Sequence, residues 1–205
     1  MSDSREKILG RVRDALTPLP ERAAYPEYAD DVAEMKQLFA DGRESWPLFA
    51  ERLAAVNGIA LDNVAALATW LRDRGYLHGY CDPILWPLLT PEFEEAFTVE
   101  TDFDRTRVDD YAFGITRAAG AIAETGTVVL QDGTTSSRLG ALTPWVHVAV
   151  FPRGKLYATI AQAIAALGND PNTIWVTGPS KTADVEGILI EGVHGPGAQI
   201  ALCLT

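Results

Sequence analysis

The chain has 205 residues, 47% of them hydrophobic and 22% charged, and a formal net charge of −11. That length can bury a core without disulfide or metal staples, and the acidic balance argues against nucleic acid or an anionic membrane surface, which clustered Lys and Arg would be needed to bind. Two cysteines, Cys81 and Cys203, and three histidines, His78, His147 and His194, are too few and too dispersed to suggest a metal or iron–sulfur site held by this chain.

The opening residues Met1-Ser-Asp-Ser-Arg-Glu-Lys7 lack the apolar run of a signal peptide. No stretch is long and apolar enough to span a bilayer, so a cytoplasmic protein is expected. Residues 4–16 predict an amphipathic helix with Ile8, Leu9, Val12 and Leu16 on one face and Asp3 with Glu6 as a capping box. Thr17-Pro-Leu-Pro20 ends it, and the prolines at 18, 20 and 26 favour an extended linker. Residues 1–29 therefore read as helix and linker, and residues 30–205 as an α/β domain.

From Asp30 to Gly75 the pattern is helical. Val32, Met35, Leu38 and Phe39 form one stripe, and Phe49, Leu53 and Val56 a second, ended by Gly58. Asp62 is the expected cap of a third helix bearing Val64, Leu67 and Leu71, with Gly75 at its end. Trp46, Trp70 and Trp86 read as core anchors.

After Phe97 short β-branched runs recur: 127–130, 146–150, 173–177, 187–190 and 199–204. Lys155 to Leu167 predicts a helix between two of them, with Leu156, Ile160, Ile164 and Leu167 inward and Gly168 as its stop. Near-continuous apolar strands alternating with helices predict a parallel-rich sheet covered by helices. Asp132-Gly133 predicts a hairpin-type turn within it.

Two segments have the composition of ligand-binding loops. Ala121-Ile-Ala-Glu124-Thr125-Gly126-Thr127 brings a carboxylate, two hydroxyls and a glycine to a strand entrance. Glu124 is a candidate acid, base or nucleophile, or else the cap of a neighbouring turn. Thr177-Gly178-Pro-Ser180-Lys181-Thr182-Ala-Asp184-Val-Glu186-Gly187 leaves a strand and resembles a P-loop without its required glycines. Ser180 or Thr182 can cap a helix there whose N-terminus, with Lys181, receives a carboxylate or phosphate; a solvated capped turn is the plain alternative. His194, before Gly195-Pro196, is a candidate acid/base or a turn histidine satisfied by backbone. Arg138 is a candidate carboxylate clamp or a surface residue. His147 alternates with valines and reads as structural.

Taken together, Gly114-Ile-Thr116, Ala123-Glu-Thr-Gly-Thr127, Arg138-Leu with Pro144 ahead of His147, Gly178-Pro-Ser-Lys-Thr-Ala-Asp-Val-Glu186 and Gly192-Val-His-Gly-Pro196 resemble the LUD domain family, nearest to its LutC (YkgG) type, over residues 30–205. The resemblance implies a fold similar to the NagB/RpiA/CoA-transferase group. It also implies a role as the third part of a system oxidising L-lactate to pyruvate, with iron–sulfur clusters in the partner subunits and none bound by this chain. A small carboxylate or phosphorylated ligand is the expected small-molecule partner. Because the two polar loops bound neighbouring strands, Glu124, Thr125, Gly126, Lys181, Thr182 and Asp184 should meet in one crevice. The alternative is a stand-alone enzyme acting on a sugar phosphate or acyl thioester, with Glu124 as its nucleophile.

Overall fold

The computed structural model describes residues 2–17, 44–93, 95–183 and 188–204. Met1–Gln37 and Leu38–Thr205 form two separate compact units. Helix α1, Ser2–Leu16, belongs to the first. It begins one residue before the Asp3 expected to cap it, and Ile8, Val12 and Leu16 of its stripe are exposed. The linker expected at 20–28 and the stripe expected from Val32 to Phe39 lie outside the described residues.

The second unit is built on a six-stranded, fully parallel sheet in the order β1 (Ile59–Leu61), β12 (Ala198–Leu204), β7 (Val146–Pro152), β4 (Phe113–Arg117), β2 (His78–Cys81) and β3 (Thr98–Glu100). Successive side chains on a strand point to opposite faces. On one face, Val146, Val148 and Val150 of β7 with Ile200 and Leu202 of β12 join Leu67 and Leu71 of helix α3, Val64–Asp73, and Leu89 of helix α4, Trp86–Leu89. On the other, Ala149, Phe151, Ala201 and Cys203 meet Leu48, Phe49 and Leu53 of helix α2, Ser45–Ala54. They also meet Ala121, Val128 and Leu130 of a second sheet.

That second sheet runs β8 (Leu156–Tyr157), β5 (Gly120–Ile122), β6 (Thr127–Gln131) and β9 (Thr173–Val176). Its outer face carries Ile122 and Val129 against Ala163 of helix α6, Ile160–Leu167. Helix α5, Arg138–Leu142, leads into β7, and a hairpin pairs β10, Lys181–Ala183, with β11, Leu189–Glu191. The α/β class and the parallel sheet agree with the sequence. Of the five expected strands, however, only β7 and β12 lie in the parallel sheet. The others fall in the second sheet and the hairpin, because an apolar run reports burial without naming its partner strand.

Local signals also shift. Asn63 caps α3 in place of Asp62, its Oδ1 accepting from the Ala66 amide at 2.8 Å. Helix α6 starts at Ile160 behind Thr159, since Arg153–Lys155 form a 3₁₀ turn and 156–157 join a sheet; Ile164 faces outward. Asp132-Gly133 leads toward α5, and the hairpin turn is instead Ala123–Gly126 between β5 and β6. Trp46, Trp70 and Trp86 are partly buried and pack against the two main clusters.

Candidate functional site

The turn at 123–126 puts Gly126 at φ 65°. A Cβ there would lie 2.4 Å from the Leu53 amide nitrogen, so the glycine admits the backbone of α2. Glu124 accepts a short hydrogen bond from the Ile160 amide, the first residue of α6. There a carboxylate satisfies an otherwise unpaired N–H and meets the positive end of the helix. Thr125 and Thr127 share a hydroxyl contact of 2.7 Å, and Thr127 shares another of 2.7 Å with Thr177. These hydroxyls tie the turn to the end of β9.

Gly178 also serves α2. At φ 82° its Cβ would sit 2.7 Å from the Val56 carbonyl oxygen. Lys181 donates to that same carbonyl at 2.8 Å and lies 3.5 Å from Glu191. In place of the helix expected after Ser180, 181–183 form β10, with Thr182 opposite Ile190, so among the described residues no helix N-terminus stands beside Lys181. Asp184 lies outside the described residues. Gly126, Gly178 and Lys181 do meet, around the end of α2. They meet it through packing and a capped carbonyl, while Glu124 is engaged at α6.

A crevice of about 320 Å³ opens where the amino ends of β7 and β12 face the end of β9. Ser180, His194, Leu142 and Trp175 line it along with His147 and Gln199. Two backbone bonds hold the Ser180 and His194 loops together: the Ser180 amide donates to Pro196 at 2.9 Å and the Gly192 amide to Ser180 at 2.9 Å. His147, 1% exposed, touches Thr116 Oγ1 through Nε2 at 2.9 Å and Gln199 Oε1 through Nδ1 at 2.8 Å. Gln199 turns its amide nitrogen to the Ile200 carbonyl, so Oε1 faces the ring and His147 carries its proton on Nδ1. Burial pushes this imidazole down to about 4, against a smaller upward pull from Gln199. The crevice thus has a neutral, fixed floor and an exposed His194 on its rim.

Of the residues expected to bind ligand, the crevice gathers Gly178, Ser180 and His194. Arg138 lies apart, its guanidinium forked onto Asp132, which also accepts from Asn172 at 2.8 Å. It clamps a carboxylate of its own chain. Thr116 enters the sequence reading only within the Gly114-Ile-Thr116 motif and Gln199 only as the start of an apolar run, although a polar residue inside such a run is a readable sign of a buried network.

The LUD domain family matches residues 82–202, a stretch that holds every described residue of this crevice. The chain belongs to the LUD domain family. This LUD domain is 33% identical over 230 aligned positions to an uncharacterized protein of Neisseria meningitidis serogroup B, covering 98% of this chain and 93% of that one. It is 32% identical to lactate utilization protein C of Bacillus licheniformis over 119 residues, 54% of this chain and 50% of that protein. It therefore spans about half the length of that relative. The crystal structure of a DUF162 family protein from Deinococcus radiodurans shares the fold, with a TM-score of 0.59 and 20% identity over 78% of this chain and 96% of that one. Among the described residues no helix is long and apolar enough to cross a membrane.

Proposed function

We propose that this LUD domain acts in the cytoplasm as a LutC-type component of a lactate-utilisation system whose iron–sulfur clusters reside in partner subunits. The observation that carries the reading is the similarity to proteins named lactate utilization protein C, 32–40% identical over shared segments of 90 to 119 residues. The cysteine chemistry supports assigning the clusters elsewhere. Cys81 on β2 and Cys203 on β12 are separated by β4 and β7. Both are buried, and burial, then the nearby Asp82, pushes the Cys81 thiol up to about 12. Cluster ligation needs clustered thiolates. The geometry of Glu124 gives the stand-alone reading little support, since its carboxylate is already engaged at the start of α6.

Reconstitution tests the proposal. The chain is combined with candidate iron–sulfur partners, and L-lactate-dependent reduction of an acceptor dye is followed. Activity should collapse when this chain is omitted. Full activity without it, or turnover of an acyl thioester or sugar phosphate by this chain alone, would overturn the reading.

A further inference from the structure

Among the described residues the crevice at the amino ends has no Lys or Arg in its lining, so it is poorly matched to an anion. The opposite end of the parallel sheet differs. A cavity of about 410 Å³ opens at the carboxyl ends of β4, β7 and β12, where ligands of open α/β sheets commonly sit. Arg117, the last residue of β4, and Lys155 line it, and among the described residues its lining contains no acidic one. In a chain of net charge −11 this is a local reversal of sign.

Arg117 is held from behind. Asp82, 0% exposed, receives Arg117 Nε at 2.7 Å on Oδ2 and the Ile84 amide at 2.8 Å on Oδ1. Among the described residues no group hydrogen-bonds the two terminal Nη nitrogens. A fully buried carboxylate is costly to keep, and here it fixes a guanidinium with its outer, two-pronged edge free. That edge has the geometry that grips a carboxylate through two parallel N–H···O bonds. Lys155 is exposed and forms no ion pair among the described residues. Leu85, Leu88, Leu167 and Leu204 supply apolar wall around these two cations.

We propose that this cavity binds an organic carboxylate with an apolar body, gripped by the free edge of Arg117 and steadied by Lys155. The assignment goes beyond the lactate-utilisation reading and stands without it, because any short carboxylate satisfies the chemistry. The apolar wall favours a carboxylate over inorganic phosphate, whose every face is polar.

Calorimetric titration of the full chain with butyrate, L-lactate, pyruvate, butyramide and inorganic phosphate tests it. At least one carboxylate should bind saturably, and butyramide, the neutral counterpart, should not. Arg117→Lys keeps the charge beside Asp82 but loses the fork, and should weaken binding about tenfold. Lys155→Ala should weaken it about threefold. Leu88→Asp, at an exposed position, should also weaken it, most clearly at low salt. The latter two variants keep the test informative should Arg117→Lys fold poorly. Equal affinities in wild type and all variants, no saturable carboxylate binding, equal binding of butyramide, or tighter binding of phosphate would each overturn the site. If butyrate binds while L-lactate and pyruvate do not, the site stands and lactate is excluded as its ligand. If no carboxylate binds, the site falls while the reconstitution result is untouched.

Discussion

The two ends of the parallel sheet meet solvent in opposite ways. Toward the amino end, His147 and Gln199 bond to each other and, through the His147 ring, to Thr116 further along the same face of the adjacent strand, and the three satisfy one another as neutral groups. At the carboxyl end, a buried Asp82 backs a partly exposed Arg117. A closed neutral network spends its hydrogen bonds on rigidity. A charge pair with one free edge keeps donors for something else. The difference teaches that burial of polar groups is no guide to function by itself; what matters is which donors remain unused.

The largest effect is expected at Arg117. Arg117→Ala leaves Asp82 buried without its counter-charge and should cost about 3–5 kcal/mol in urea unfolding. Adding Asp82→Asn should recover part of that loss. A cost below 1 kcal/mol would show that water reaches Asp82 and that the pair does not define this end.

At the amino end the signature is pH. His147 binds its proton less readily when folded, so between its ordinary 6.5 and about 4 the unfolded chain holds more protons. The stabilisation is fully present above about pH 6.5 and is lost as pH falls toward 4, in all about 3 kcal/mol. Urea midpoints of wild type and His147→Gln at pH 7 and 4.5 read it as a difference between slopes. Parallel slopes would move the effect to other groups.

Gly178→Ala forces a side chain into φ 82° against the Val56 carbonyl and should cost about 2 kcal/mol by thermal unfolding. A neutral result would mean that the 178–180 loop shifts freely off α2. Smallest of all, His194→Ala and Lys155→Ala should each change stability by no more than about 0.5 kcal/mol, because both side chains are exposed. A larger loss in either would make that residue structural rather than available to a ligand.

Some features of this protein follow from the sequence by itself, because their causes are local. The hydrophobic period yields α1, α2 and α3, glycines with φ of 74° and 67° end α3 and α6 at Gly75 and Gly168, and β-branched runs mark β6, β7, β9 and β12. The motif set yields the LUD family. Other features depend on partners far apart in the chain. The strands β1, β2 and β3 have three or four residues each, too few for a periodic signal, and β4 is interrupted by Gly114. Gly126 and Gly178 admit the backbone at the end of α2, roughly 70 and 120 residues earlier. Glu124 meets an amide 36 residues away, and Arg117 finds Asp82 across 35. No window of sequence contains both members of such a pair, so whether a carboxylate is engaged or a guanidinium is left with a free edge is settled only when the sheets close.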